Sequence, residues 1–485
     1  MNAKPDRTLL APGLEISRIV TGLWQIADME KDGRIIDADA LARDMGVYAE
    51  AGFDTFDMAD HYGSAEIIAG RFHALHRGGR FITKWCPQPG PMTRDIVRAA
   101  VARARERLQT SRIDLLQLHW WMFQHPAWID AMKELVALRD EGAIAHLGVT
   151  NFDTGHLRLL HDHGIPVATN QVCFSLLDRR AAGEMSRFCV RSGINLLAYG
   201  SLAGGLLTGK WHSRPRPAGD EVRDWSTMKY LRFVDQIGGW DVLQSILDAL
   251  NKVAHRQDVS IGNVATRWVL EQDAVAAVIV GARLGEREHR DDNLRVFSFA
   301  LDTDDHRILD EALASTTAIP GDCGDEYRWP PFLTASGDLS HHLASFPKVY
   351  TPEPVPGKPE RLRIDSGSIW EPLAGYSRAV RLGDRILVSG TTATHGAGEI
   401  IAPGSAASQT VYILDKIRAS IESLGGTMED VVRTRVYLRD KNDSEEVSRA
   451  HGRVFGGIRP ANTLVEVSAL IGGYAVEIDA EAVVG

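Results

Sequence analysis

Asp57, Tyr62, Lys84 and His119 are a carboxylate, a phenol, an ammonium and an imidazole, the side-chain types that can together move a proton. Each sits at or just past the end of a short apolar run. Asp57 closes Phe53–Met58, with Tyr62 in the loop behind it; Lys84 falls in Phe81–Trp85; His119 ends Ile113–His119. A carbonyl that receives a hydride needs a proton on its oxygen as negative charge develops there. A free tyrosine, pKa about 10, is a sluggish acid. A lysine ammonium beside it favours phenolate and is expected to lower that value. The lysine, once buried, needs an anion, which Asp57 can supply. His119 can orient the substrate oxygen or relay the proton. Taken singly, each residue reads more readily as structural. Their recurrence at the ends of successive strands is what points to catalysis.

The elements that must position them follow a repeated theme. Strand candidates are Ile19–Trp24, Phe53–Met58, Phe81–Trp85, Ile113–His119, Ala145–Thr150, Val167–Val172, Ile194–Tyr199 and Val275–Val280. Most are apolar on both faces, as parallel strands covered by helices must be. Between them lie segments of helical period, such as Asp95–Leu108 with Ile96, Ala100, Ala104 and Leu108 on one stripe and Thr93 as a cap. The pattern predicts an α/β fold, a (β/α)8 TIM barrel, in which functional residues gather at the C-terminal ends of the strands. The rival, an open doubly wound sheet, wants a G-x-G-x-x-G turn after an early strand, and none is present.

The chain changes character at Ile319. Prolines crowd the stretch to Asp365, which reads as a barrel tail and linker whose Tyr327, Trp329, Phe332 and Phe346 pack on a surface. From Ser366 a smaller α+β domain is predicted. Strands at Ser377–Val380 and Arg385–Ser389 flank a turn at Gly383-Asp384. A helix over Ala406–Leu424 stops at Gly425-Gly426, followed by strand Val431–Leu438, helix Ser444–Phe455 and strands Thr463–Val467 and Ala475–Ala480. The expected division is 1–318 barrel, 319–365 tail and linker, 366–485 second domain.

With 485 residues, 44% hydrophobic and 24% charged, the chain has material for more than one core. A net charge of -10 argues against a general nucleic-acid binder. No apolar run is long enough to span a membrane, and the polar start lacks a secretory core. The 4 cysteines have no paired spacing, which fits a reducing, cytoplasmic setting. No metal site is expected; His156, His161 and His163 do not make a ligand ladder, and His341-His342 reads as solvated.

Several motifs carry a resemblance to the aldo-keto reductase family over Arg7 to about Leu333. The run Asp57-Met58-Ala59-Asp60-His61-Tyr62-Gly63 resembles that family's signature around its catalytic Asp and Tyr, and Leu147-Gly148-Val149-Thr150-Asn151-Phe152 its carboxamide-contact motif. Gln171, Ala198-Tyr199-Gly200-Ser201-Leu202, Gly204-Gly205 through Lys210, and Gly281-Ala282-Arg283 through Asn293 resemble further cofactor segments. The resemblance implies an NAD(P)(H)-dependent oxidoreductase in which Tyr62 delivers a proton to an aldehyde or ketone. Gly22, Thr150, Asn151, Gln171, Tyr199, Gly200, Leu202, Gly205, Lys210, Gly281, Arg283, His289 and Asn293 are then cofactor contacts. Arg283 and His289 favour NADP(H), with NAD(H) the alternative. Trp24, Trp120 and Trp121 are expected to wall a substrate pocket for a small carbonyl compound.

The second domain resembles the Rid (YjgF-like, reactive-intermediate deaminase) family over about Leu373 to Val484. The resemblance rests on Tyr376-Ser377-Arg378-Ala379-Val380, Ile386-Leu387-Val388-Ser389-Gly390, Arg459-Pro460-Ala461-Asn462-Thr463 and Val476-Glu477-Ile478-Asp479-Ala480. It implies a chorismate-mutase-like fold, a homotrimer or higher homo-oligomer, and ligand clefts between subunits with Tyr376, Asn462 and Glu477. Where the family's imine hydrolases carry arginine this chain has Asn462, which lacks the fork that pairs a carboxylate. The expectation is therefore a reductase assembled by its Rid-like domain. A reductase joined to an imine or enamine hydrolase, and an NADP-binding redox sensor, are the competing readings.

Overall fold

Before the barrel comes a hairpin. Strand β1 (Arg7–Ala11) pairs antiparallel with β2 (Leu14–Ser17) around Gly13, whose φ of +77° suits glycine. The computed structural model describes residues 4–24, 36–76, 78–218, 221–222, 225–285, 288–328 and 347–485. The hairpin's Leu10, Leu14 and Ile16 pack with Val20, Ile82, Leu115 and Leu197 of the barrel interior. Asn195, the first residue of its strand, donates to the Leu10 carbonyl at 2.9 Å, so the hairpin closes the N-terminal end of the barrel.

Parallel strands β3 (Ile19–Gly22), β4 (Thr55–Asp57), β5 (Arg80–Trp85), β6 (Ile113–His119), β7 (Ile144–Thr150), β8 (Thr169–Cys173), β9 (Asn195–Tyr199) and β10 (Val275–Gly281) close the expected barrel, β10 pairing with β3. Two strands are shorter than predicted by two residues or more. Phe53 follows the left-handed Gly52, so β4 starts only at Thr55, and β3 stops at Gly22, leaving Trp24 in the loop beyond. The predicted helix runs Arg94–Arg107, with Thr93 accepting from the Ile96 N–H. Its buried stripe is Val97, Ala100, Val101 and Ala104, while Ile96 is exposed. Steps of four residues overshoot a full turn of about 3.6, so a strict every-fourth pattern drifts off the core face.

The second domain is a seven-stranded sheet in the order β11-β12-β13-β14-β19-β17-β18. Its strands are β11 (Glu353–Val355), β12 (Lys358–Ile364), β13 (Ala379–Leu382), β14 (Arg385–Thr391), β17 (Val431–Leu438), β18 (Ala461–Glu466) and β19 (Val476–Val483). A separate small ladder joins β15 (Thr394–His395) to β16 (Glu399–Ile400). The helix Ala406–Ser423 covers one face, burying Ile413, Leu414, Ile417 and Ile421 before Gly425 turns left-handed at φ +82°. One expectation is corrected here. Residues 353–364, read as linker, pair into this sheet, with Ile364 opposite Ala379. Prolines are compatible with it because Pro354 lies on the edge strand, where a missing N–H is tolerated, and Pro359 falls outside the paired register of β12.

The two halves share a polar seam. The helix Ala406–Ser423 lies against the barrel helix Thr154–Asp162, and the Ser405 and Ser408 hydroxyls both donate to Asp162 at 2.7 Å. Buried His156 has Asp153 on Nδ1 at 2.5 Å and Asp415 on Nε2 at 2.8 Å, with Phe123 stacked on its ring. His395 meets Asp130 at 2.8 Å, and Lys133 pairs with Glu399. His156, His161 and His163 do not converge: His161 faces Asp162, and His163 accepts from the Ala402 N–H. Among the described residues no His, Cys, Asp or Glu cluster is disposed to hold a metal, and no helix is long and apolar enough to cross a membrane. His341-His342, Trp329, Phe332 and Phe346 lie outside the described residues.

Candidate active site

Strand register brings the ionisable groups together. Gly22 pairs with Asp57, His119 with Thr150, Thr150 with Gln171, and Gly281 with Gly22, so their side chains ring the C-terminal mouth. Lys84 Nζ donates to Asp57 Oδ2 at 2.6 Å and to the Met58 carbonyl at 2.9 Å. Gln171 Nε2 donates to the other carboxylate oxygen, Oδ1, at 2.7 Å. The Lys84 ammonium lies 5.0 Å from the centre of the Tyr62 ring, and Trp24 meets that ring edge-on at 4.7 Å. His119 Nε2 is 3.3 Å from Asn151 Nδ2, and its ring packs on Trp121 at 3.8 Å.

Burial sets the charges. It pushes the Asp57 carboxyl up and the Lys84 ammonium down, and the attraction between them opposes both shifts. Burial also raises the Tyr62 phenol well above 10. Asp57 and Tyr327 push the same way, and Lys229 opposes. The expectation that Lys84 would lower the phenol is therefore corrected, because burial dominates and Asp57, the partner of that ammonium, pushes the phenol up. The phenol is kept in its proton-bearing form.

A cavity of about 950 Å³ runs from these groups across the barrel mouth. It is lined by Asp57, Tyr62, Lys84, His119, Trp24 and Trp121. Gly22, Thr150, Asn151, Gln171 and Tyr199 line it too, with Gly200, Leu202, Gly205 and Lys210 from the segment after β9. Gly281, Arg283, His289 and Asn293, at and beyond the end of β10, complete the wall. Two of its lining hydroxyls, Thr150 Oγ1 and Ser201 Oγ, are buried without a hydrogen-bond partner. Gly205 has a φ of +92° and open space where a Cβ would stand, which lets a ligand approach the backbone. Orphaned donors, the open Gly205 and the volume of about 950 Å³ fit a dinucleotide. Thr150, Asn151, Tyr199, Gly205, Arg283 and Asn293 are the residues that would hold it.

Trp120 departs from expectation. It is fully buried away from the cavity, with Nε1 donating to the Met122 carbonyl at 2.7 Å. Successive side chains leaving β6 alternate in direction, so His119 and Trp121 do not bring Trp120 with them. Tyr327 departs the other way. Predicted to pack on a surface, it enters the cavity, its hydroxyl 2.6 Å from Lys229 Nζ and 3.1 Å from the Tyr199 hydroxyl. Sequence reasoning passed over Lys229 and Tyr230, on the helix Trp225–Gln236, because nothing in their spacing marks them.

In the second domain the cleft residues separate. Glu477 sits opposite Tyr437 on one side of β17 and Asn462 opposite Thr434 on the other. That offset is roughly 10 Å along the strands and about two strand spacings across. Within one chain Asn462 instead faces His451, at 3.4 Å. Tyr376 and Glu477 share the buried Arg378 as an electrostatic neighbour, and burial raises the Glu477 carboxyl.

Comparison with known proteins agrees with this architecture. The model of the aldo/keto reductase family matches residues 18–314, and that of endoribonuclease L-PSP matches residues 368–484. Chloroplastic pyridoxal reductase of Arabidopsis thaliana is 27% identical over 294 residues, covering 56% of this chain and 76% of the relative. The structure of a glycerol dehydrogenase from Gluconobacter oxydans superposes with a TM-score of 0.54 at 25% identity, over 64% of this chain and 95% of that one. An uncharacterised protein of Streptomyces coelicolor is 38% identical over 121 residues, 24% of this chain and 90% of its own length. The chain belongs to the aldo/keto reductase family. It is an oxidoreductase whose barrel is fused to a Rid-type L-PSP domain.

Proposed function

We propose that the barrel reduces an aldehyde or ketone with NADPH, Tyr62 giving the proton. The observation that carries this reading is the convergence of Tyr62, Lys84, Asp57 and His119 on the wall of one cavity of about 950 Å³. A reduced nicotinamide, when bound, supplies the hydride. The carbonyl carbon gains that hydride as its oxygen takes the Tyr62 proton, giving an alcohol. Burial keeps the phenol protonated until oxyanion charge develops. Lys84, paired with Asp57 and 5.0 Å from the ring, holds the phenol in place, Lys229 favours the phenolate as it forms, and His119 orients the substrate oxygen. Trp24, Trp121 and Tyr327 make an aromatic wall that suits a planar or apolar carbonyl compound, in keeping with the relative named pyridoxal reductase. Among the lining residues Arg283, His289 and Lys210 favour the 2′-phosphate of NADP(H) over NAD(H).

The Rid-type domain, on this reading, assembles copies of the chain. Its open sheet face exposes Leu387, Val465 and Val483 beside the Arg435, Asp479 and Glu481 ion pairs. A homotrimer would bring a neighbour's Asn462 edge toward Glu477. Asn462 offers no guanidinium fork, so assembly rather than imine hydrolysis is assigned.

The test follows NADPH absorbance with a panel of aldehydes and ketones. Tyr62→Phe should abolish turnover while cofactor affinity persists. Turnover by that variant at the parental rate would defeat the assignment, and sedimentation of the Leu387→Lys protein tests the assembly.

A further inference from the structure

We infer that Arg453, a residue of the Rid-type domain, positions the wall of the reductase site in the other domain. The inference rests on the proposed function for what that site does, and on geometry for how Arg453 reaches it. Arg453 lies in the last turn of the helix Ser444–Phe455. Its guanidinium crosses the seam and forks. One nitrogen donates to Asp322 Oδ2 at 2.9 Å, and the other to Asp325 Oδ1 at 3.0 Å with Asp153 Oδ1 3.4 Å away. Lysine, a point charge, could not bridge two carboxylates in this way.

The segment so gripped is the one that enters the cavity. Asp325 accepts from the Asp322 N–H at 2.7 Å, closing the turn that starts the short helix Asp325–Arg328. Gly324, at φ +87°, lets the turn lie directly on the strand end, where a Cβ would collide with the Asn151 carbonyl. Arg328 then donates to the Asn151 and Trp120 carbonyls, each at 2.7 Å. Between these two anchors stands Tyr327, bonded to Lys229 and Tyr199 and packed edge-on against Trp121 at 5.3 Å. Tyr199 in turn donates to Asn151 Oδ1 at 2.9 Å. Arg453 is thus two residues removed from the cavity wall: it holds Asp325, and Asp325 sets the helix that presents Tyr327. The barrel completes its site with a hand from the second domain.

The test is a double-mutant cycle in the full-length protein. Arg453→Lys keeps the charge and loses the fork, and Tyr327→Phe removes the hydroxyl that the segment delivers. Arg453→Lys should raise KM for the carbonyl substrate about tenfold with kcat nearly unchanged, as expected when positioning alone is lost. In the Tyr327→Phe background the same change should have no further effect. Multiplying effects, or an unchanged KM in the single variant, would overturn the inference. A second readout needs no activity: 3-fluorotyrosine at position 327, observed by fluorine NMR, should shift or broaden in Arg453→Lys and in Asp325→Asn. If the parent reduces no carbonyl the proposed function fails, and the fluorine signal alone decides this inference. An unmoved signal in both variants refutes it, and Asp325→Asn decides if Arg453→Lys does not fold.

Discussion

Raising the pH should weaken the seam through His156. Its imidazole carries Asp153 on one nitrogen at 2.5 Å and Asp415 of the second domain on the other at 2.8 Å. Burial alone would depress its pKa below 6.5, but Asp153 and Asp415 together raise it to about 9. The folded value lies above the unfolded one. The contribution to stability is therefore whole below about pH 6.5 and is lost as the pH climbs through about 9. At 1.36 kcal/mol per pKa unit the whole interval is worth about 3 kcal/mol. Asp153 moves the other way. Burial works to raise it, but Arg453 and His156 prevail and depress its carboxyl well below the usual range, so the seam weakens again in strong acid. Urea unfolding of the parent and of His156→Gln at about pH 6 and about pH 10 isolates the histidine. The parent's advantage should shrink by about 3 kcal/mol at the higher pH. A ring titration of His156 by NMR should give a midpoint near 9. An advantage equal at both pH values, or a midpoint near the free imidazole's, would refute the reasoning.

Lys84→Met should destabilise the barrel by about 3 to 5 kcal/mol in urea unfolding, because it leaves the buried Asp57 carboxylate without its ion pair; loss of activity without loss of stability would count against that pairing. Arg283→Ala should weaken NADPH binding about tenfold or more while leaving NADH nearly unchanged, as read by fluorescence titration. Gly324→Ala should cost about 1 to 3 kcal/mol of stability and raise KM, since its left-handed backbone and the nearby Asn151 carbonyl both exclude a side chain.

Legibility followed locality. Barrel strands announce themselves as apolar, β-branched runs, and the ends of those runs carry Asp57, Lys84 and His119, so strand and site were read together. The hairpin β1–β2 and the strands β11–β12 were not. One is very short, and the other is interrupted by prolines that only an edge position excuses. Trp120 and Trp121 are adjacent and chemically alike; which of them faces the cavity depends on strand alternation beyond β6. That Tyr327 and Lys229 meet in the cavity cannot be read locally, because they are 98 residues apart and Tyr327 arrives there through the Gly324 turn. The same distance hides the Glu477–Asn462 separation, which only the order β19-β17-β18 reveals.

The hairpin at the opposite pole has a consequence for how the barrel can be engineered. Leu10, Leu14 and Ile16 form an oily stopper seated on Val20, Ile82, Leu115 and Leu197. That end carries packing and the far mouth carries Tyr62, so trimming a stopper side chain should cost rigidity while leaving the doorway for cofactor and substrate unaltered.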